Sequence, residues 1–276
     1  MGPALADLAP LRASLDAHGL LARKSLGQHF LLDLNITRKI ARLAEVGAGD
    51  RVIEVGPGPG GLTRALLETG AVVVAVEKDA RFLPLLAELA VAAAGALTIR
   101  HEDALLTDEA AVAEGRPAAI VANLPYNVGT PLLIKWLTGA FTPSSMTLMF
   151  QKEVAERIVA EPGSEAYGRL AVIAQAISDA RLVMDVPARA FTPPPKVASA
   201  VVRLVPHATR PPQALLDALQ QVTAAAFGQR RKMLRASLKP LGGEALCQAV
   251  GLDAQRRAET LAIDEFLALA RAVAAR

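Results

Sequence analysis

The sequence predicts an α/β fold: a seven-stranded, mostly parallel, Rossmann-like sheet flanked by helices, with a small all-helical domain behind it. Three observations carry this. Short apolar runs at 51–55, 72–76, 97–100, 118–122 and 145–150 alternate with helix-length amphipathic segments, the rhythm of strand–helix–strand units. The first run empties into Gly56-Pro57-Gly58-Pro59-Gly60-Gly61 and then a helix, an arrangement in which backbone approaches a ligand closely at a helix N-terminus. Strand patterns stop near residue 206, and helical periodicity takes over. With 276 residues and 52% hydrophobic content, one large α/β domain and a smaller appendage are expected.

In order along the chain, residues 1–20 read as a peripheral amphipathic lead-in, with Leu8, Leu11 and Leu15 at helical spacing. Residues 21–205 form the main domain. Its first segment, Arg23 to Asp33, places Arg23 and Lys24 where they can face a phosphate backbone. Phe30, Leu31 and Leu32 equally serve to staple the next helix, 35–46, to the core. Strand 72–76 ends in Glu77, 21 positions after Gly56, where an acid accepts both ribose hydroxyls. Because Gly56, Gly58 and Gly61 also satisfy G-x-G-x-x-G, the loop alone indicates a nucleoside-bearing cofactor without choosing between a nicotinamide and S-adenosylmethionine. Asp103 falls at the end of the third strand, suited to an adenine amino group or to an ordinary turn cap. Asp108 caps a short helix, and Thr130-Pro131 opens another. Residues 182–186 and 199–205 complete the sheet as a terminal strand pair. Between them, Phe191-Thr192-Pro193-Pro194-Pro195-Lys196 is an extended loop that presents Phe191 and Lys196. Phe191 is either a stacking platform or a core plug. Residues 206–276 begin with a linker, Pro206 to Pro212, beyond which helices are expected at 215–227, 231–238, 244–250 and 264–274.

Charge is uneven. Residues 1–205 carry 20 Lys+Arg against 21 Asp+Glu, whereas 206–276 carry 10 against 6. The basic excess, concentrated around Arg230, Arg231 and Lys232, suggests a polyanionic partner, although basic helices are often only solvated faces. A single cysteine, Cys247, excludes an internal disulfide and a thiolate cluster. The four histidines show no ligand spacing, so no metal is expected. No apolar run is long enough to span a membrane and no secretory pattern opens the chain, which points to a cytoplasmic protein.

The most specific stretch is Asn123-Leu124-Pro125-Tyr126 at the end of the 118–122 run. An exocyclic amine on a flat base needs acceptors for its N–H bonds and a ring to stack on. Asn123 offers a side-chain carbonyl, Pro125 a rigid turn without a competing donor, and Tyr126 a π-face. The same residues would also make a strand-terminating turn.

Eight segments in unbroken order resemble the rRNA adenine N6,N6-dimethyltransferase family, and most closely its bacterial small-subunit branch. They are Lys24 to Leu31, Glu54 to Gly58, Val76 to Asp79, Asp103-Ala104, Asn123 to Asn127, Gln151 to Ala155, Phe191 to Val197 and Phe227 to Lys232. The resemblance implies a class I S-adenosylmethionine-dependent methyltransferase fold. It implies a cofactor site in which His29 and Leu31 contact S-adenosylmethionine from the N-terminal segment, Gly56 faces its methionine part, Glu77 its ribose and Asp103 its adenine, with Gln28 and Gly58 also binding the cofactor. Asn123 would bridge cofactor and target, Leu124 would accept through its carbonyl, and Tyr126 and Phe191 would sandwich a flipped adenine. Arg23, Lys24, Lys196, Arg230, Arg231 and Lys232 would hold RNA. The implied reaction makes dimethyladenosine at two adjacent adenines in the 3′-terminal hairpin of 16S rRNA, in the small subunit or its precursor. S-adenosylhomocysteine is the product, no metal takes part, and the protein acts as a monomer. Other readings are a large-subunit methyltransferase of the macrolide-resistance type, an assembly factor with methylation secondary, and a nicotinamide oxidoreductase. The chain departs from the family pattern at Gly129, usually Ser or Ala, at Glu102, usually smaller or neutral, and at Ala236, often Asn.

Overall fold

In the computed structural model, which describes residues 5–20, 29–229 and 231–276, the glycine-rich stretch lies where the order of parallel strands reverses. The chain enters through α1 (Leu11–Ala17), β1 (Phe30–Leu31) and α2 (Leu34–Leu43). Asp33 caps α2 by accepting from the Asn35 amide at 2.8 Å, satisfying a donor that the first turn leaves open. Then come β2 (Arg51–Val55), α3 (Gly61–Glu68), β3 (Val72–Glu77), α4 (Leu83–Ala92), β4 (Leu97–His101) and α5 (Glu109–Ala113). Asp108 caps α5 through the amides of Ala110 and Ala111, as the sequence indicated. Next are β5 (Ala118–Asn123), α6 (Gly129–Thr138), β6 (Met146–Gln151), α7 (Lys152–Ile158), α8 (Arg169–Ile177), β7 (Ser178–Val186), β8 (Phe191–Thr192) and β9 (Ser199–Pro206). The chain ends in α9 (Gln213–Gly228), α10 (Leu234–Ser237), α11 (Gly243–Ala249) and α12 (Ile263–Ala274).

The expected seven-stranded sheet is present, in the order β4-β3-β2-β5-β6-β9-β7. The pairs β3–β4, β2–β3, β2–β5 and β5–β6 are all parallel. Strands covered by helices on both faces read as continuous apolar runs; Val52, Ile53, Ile120 and Val121 are fully buried accordingly. Strand order runs one way from β2 through β3 to β4 and the other way from β5 onward, opening a crevice at the carboxyl ends of β2 and β5.

Four expectations are corrected. The described part of the lead-in is not peripheral: Leu11 and Leu15 are buried, and Arg64 donates to the Ala9 carbonyl at 2.7 Å. Its leucines close against α3, where a Cβ on Gly61 would lie 3.0 Å from Leu11 Cδ1. The 191–197 stretch is not wholly loop, because Phe191 pairs with Leu31 and Thr192 with Phe30 in an antiparallel two-stranded sheet; the Thr192–Pro193 peptide is cis. The helix expected at 231–238 shortens to Leu234–Ser237, since Met233 bridges to Arg257. β7 also begins four residues earlier than the pattern suggested, at Ser178.

The chain divides into two compact units, one formed by residues 1–135, 141–155 and 182–203, the other by 136–140, 156–181 and 204–276. In the second, α9 packs on α12, with Phe227 stacked on Phe266 at 5.5 Å and Tyr167 edge-on to Phe227. The buried Tyr167 hydroxyl donates to the Leu261 carbonyl at 2.9 Å, as a phenol inside a core requires. Among the described residues, no helix is long and apolar enough to cross a membrane.

Candidate active site

The crevice contains a cavity of about 110 Å³, lined from three directions. The loop after β2 supplies Gly56 to Pro59, the end of β5 and the loop after it supply Asn123 to Tyr126, and β1 with the residue before it and β8 supply His29 to Leu31 and Phe191. The glycine loop needs its glycines. Gly56, Gly58 and Gly60 have φ of +69°, +52° and +82°, a region costly for residues with a Cβ. Gly61 is excluded from bearing a side chain for another reason: its Cβ would sit 2.9 Å from the Leu31 carbonyl. β1 is thereby drawn down over the loop, and His29, Phe30 and Leu31 become one wall of the cavity.

Glu77 ends β3 with both carboxylate oxygens facing backbone donors. Oε2 accepts from Gly58 at 3.0 Å and Oε1 from Asp79 at 2.7 Å. Burial raises its pKa above the ordinary carboxylate value, and those amides oppose the rise. Glu77 therefore ties the glycine loop to β3 and lines the same cavity.

Asn123 closes β5. Its side-chain amide has no hydrogen-bond partner among the described residues, so both its acceptor and its donors remain available at the cavity wall. Leu124 is buried, and the Pro125 carbonyl accepts from Val128 and Gly129 at 3.1 Å each, which fixes the turn. Gly129 is small here for a local reason. A Cβ would approach two atoms of the Phe150 ring at 3.1 Å, and that ring fills the space a serine or alanine would use.

Tyr126 is half-buried, and its hydroxyl lies 2.8 Å from Ser199 Oγ. Burial raises the phenol pKa while the bond to Ser199 opposes the rise. The His29 ring stacks on Tyr126, with centroids 5.9 Å apart and planes 30° from parallel. His29 Nδ1 donates to the Pro193 carbonyl at 2.8 Å, so the proline stretch orients the imidazole. Phe191 is both plug and wall: it is buried within the hydrophobic core and also lines the cavity.

The other expected residues fall elsewhere. Asp103 does not line the cavity. It is paired with Lys78 at 2.8 Å and accepts from the Leu105 amide at 3.0 Å, and the Lys78 ammonium holds its carboxyl below the usual range. The turn after it is anchored by Lys135, which donates to the Ala104 and Thr107 carbonyls and to Glu109. Lys196, Arg231 and Lys232 are exposed. Arg23, Lys24, Gln28 and Arg230 lie outside the described residues.

The sequence reading missed two participants. Glu54, fully buried on β2, lines the cavity; an acid in the otherwise apolar run Val52 to Val55 was its signal. Ser199, also buried, holds Tyr126, and nothing in its local sequence announces that.

The model of the family described as "Ribosomal RNA adenine dimethylase" matches residues 19–275. The chain is 72% identical to the "Ribosomal RNA small subunit methyltransferase A" of Phenylobacterium zucineum, over 99% of this chain and 95% of that one. It is 58% identical to the protein of that name from Mesorhizobium japonicum, over 96% and 98%. Among solved structures it is similar to a dimethyladenosine transferase from Plasmodium falciparum, with a TM-score of 0.73 at 26% identity, covering 87% of this chain and 96% of that one. It is also similar to the 23S rRNA methyltransferase ErmE, with a TM-score of 0.69 at 26% identity, covering 88% and 99%. A glycine loop at a strand-order reversal, an Asn-Leu-Pro-Tyr wall and a match along nearly the whole chain lead to one conclusion: this protein belongs to the ribosomal RNA adenine dimethylase family of S-adenosylmethionine-dependent methyltransferases.

Proposed function

We propose that this chain transfers methyl groups from S-adenosylmethionine to N6 of two adjacent adenines in the 3′-terminal hairpin of 16S rRNA, during small-subunit assembly. The observation that carries this reading is the Asn123 side-chain amide, without a hydrogen-bond partner among the described residues and set at the cavity wall beside Tyr126 and Phe191. The small-subunit target is favoured over the large-subunit one because relatives at 57–72% identity bear the small-subunit name, against 26% for ErmE.

The residues fit the cofactor. Gly56 and Gly58 present bare backbone, Glu77 places a carboxylate beside the loop, and the Glu54 Oε2 atom is buried without a hydrogen-bond partner among the described residues. When bound, S-adenosylmethionine supplies an electrophilic methyl group. Adenine N6 is a weak nucleophile, since its lone pair is delocalised into the ring. The Asn123 side-chain carbonyl and the Leu124 backbone carbonyl accept the two N6 hydrogens, turning that lone pair toward the methyl carbon. Tyr126 and Phe191 hold the flipped base by its faces, offsetting the loss of stacking in the hairpin. The rate gain then comes from positioning and from dipoles already in place. After transfer the N6 proton leaves to solvent, the product is S-adenosylhomocysteine, and a second cofactor molecule supplies the second methyl. Asp103, whose carboxylate oxygens keep lone pairs beyond those engaged by Lys78 and the Leu105 amide, accepts from the adenine amino group of the cofactor. Lys196, Arg231 and Lys232, together with Arg23, Lys24, Gln28 and Arg230, complete the RNA and cofactor contacts. The protein works as a monomer without a metal.

The test is incubation of undermethylated small subunits with labelled S-adenosylmethionine, followed by mapping of the modified nucleotides. Label at paired adenines of the 3′-terminal hairpin is expected. Label confined to large-subunit RNA, or none, would overturn the reading.

A further inference from the structure

α6 holds a single basic side chain, Lys135, and its ammonium is fully engaged. Three N–H bonds meet three acceptors: the Ala104 carbonyl at 2.9 Å, the Thr107 carbonyl, and Glu109 Oε1 at 2.7 Å. All three acceptors belong to the short run between the end of β4 and the first turn of α5. Glu109 is buried, and an ammonium beside it offsets the cost of a carboxylate withdrawn from water. Asp103 opens the same run. Its carbonyl accepts from the Leu106 and Thr107 amides at 2.8 and 3.0 Å and from Thr107 Oγ1 at 3.1 Å. Its carboxylate accepts from the Leu105 amide. Those bonds give the turn its shape, and Lys135 fixes its place. The helix it is fixed to is itself anchored, because the Val128 and Gly129 amides donate to the Pro125 carbonyl. Lys78 is no substitute, since it engages the Asp103 carboxylate and not the backbone of the turn.

We propose that Lys135 is a positioning residue for base selectivity, holding the Asp103 turn where its carboxylate meets the adenine amino group of the cofactor. This rests on the reading above in which Asp103 accepts from that amine. It goes beyond that reading by assigning the selectivity to a side chain on another element, one that does not line the cavity. A hydrogen bond tolerates little displacement, because N–H···O contacts weaken beyond about 3.2 Å. A turn shaped by its own bonds but free to shift as a body would keep its structure and lose that contact. Lys135 contributes charge as well as anchorage. The Asp103 carboxyl is held low first by Lys78, then by the Leu105 amide, and Lys135 acts in the same direction. An ionised Asp103 has only acceptors to offer, which suits an amine and opposes a carbonyl at the same position of the purine.

The experiment is titration calorimetry on the full chain with two probes. They are S-adenosylhomocysteine and S-inosylhomocysteine, in which a carbonyl oxygen replaces the amino group. The unaltered protein is expected to prefer the first by roughly tenfold or more, the usual worth of a hydrogen bond to a charged acceptor. Lys135→Met should bring the two dissociation constants together by weakening S-adenosylhomocysteine and leaving S-inosylhomocysteine nearly as it was. Lys135→Arg, which keeps the charge and the donors, should restore most of the preference. A role in stability alone would weaken both probes alike and leave their ratio intact, and that outcome overturns the proposal. Lys135→Gln keeps an amide donor for the two carbonyls and carries the test if the Met variant fails to fold. An undiminished preference in Lys135→Gln would overturn the proposal equally. Equal binding of the two probes by the unaltered protein would remove the adenine role of Asp103 itself, a result distinct from a preference that survives loss of Lys135.

Discussion

The hydroxyls of Tyr126 and Ser199 lie 2.8 Å apart across 73 positions of sequence, tying the loop after β5 to the start of β9. A ring meant to stack on a base must be held in plane before the base arrives, because every rotamer frozen on binding weakens the complex. Ser199 is thus expected to act through Tyr126. Ser199→Ala should lower kcat severalfold, in line with about 1 kcal/mol for one hydrogen bond, while leaving the dissociation constant of the cofactor unchanged. Tyr126→Phe combined with Ser199→Ala should be no worse than either change alone. Additive losses in that cycle would show that the two hydroxyls work separately.

Asn123 differs in kind. Its amide has no partner among the described residues, so Asn123→Ala leaves no buried group orphaned and should not lower the melting temperature. Methyl transfer should nonetheless fall by about 10²–10³-fold, the usual cost of removing one preorganised dipole, with RNA binding retained. Single-turnover rates on undermethylated subunits measure this, and undiminished turnover would remove Asn123 from the reaction.

The described lead-in contributes to stability. Leu11 is 2% exposed and abuts Gly61 at the start of α3, so Leu11→Ala opens a cavity behind the glycine loop. A loss of roughly 2–3 kcal/mol is expected from denaturant titration. Because the same cavity loosens α3, cofactor affinity should fall with it. An unchanged midpoint would return the lead-in to the periphery where its sequence placed it.

Burial of Glu54 also makes the empty protein pH-sensitive. Its carboxyl is pushed up to about 8 in the folded state, from 4.5 in an unfolded chain. The folded protein therefore keeps a proton that the unfolded chain gives up. The resulting stability is complete below pH 4.5 and is lost as pH rises toward 8, by at most about 1.4 kcal/mol per pH unit. Glu54→Gln should flatten the unfolding midpoint between pH 5 and pH 8 and raise it at pH 8. Parallel pH profiles for the two proteins would contradict this.

What was legible in the sequence was local. Gly56 to Gly61 announce strand, loop and helix within a dozen residues, and Asn123 to Tyr126 announce a rigid turn after an apolar strand, because the constraints sit on neighbouring backbone. What was not legible depends on distant partners. Phe30-Leu31 and Phe191-Thr192 are about 160 positions apart and too short to show strand periodicity. Ser199 acquires meaning only from Tyr126. Glu54 reads as one acid in an apolar run until the sheet shows that neither neighbouring strand supplies a cation. Asp103 is mixed: its place just after β4 was legible as a turn cap, and it does accept from the Leu105 amide, but its engagement by Lys78, just past the end of β3, was not legible.

The basic residues differ again, since their role is electrostatic and needs no pocket. Lys196, Arg231 and Lys232 are exposed, and none has an ion-pair partner among the described residues. Free cations on a surface are solvated unless a polyanion displaces their counterions, and that displacement is what salt titration reads. Changing Arg230, Arg231 and Lys232 together to Ala should weaken RNA binding at low salt. It should also reduce the magnitude of the log Kd against log salt slope by about 0.7–0.9 for each phosphate that the variant no longer neutralises. Cofactor affinity, set inside the cavity, should stay the same. A variant with the wild-type slope would mean that these three side chains face only water.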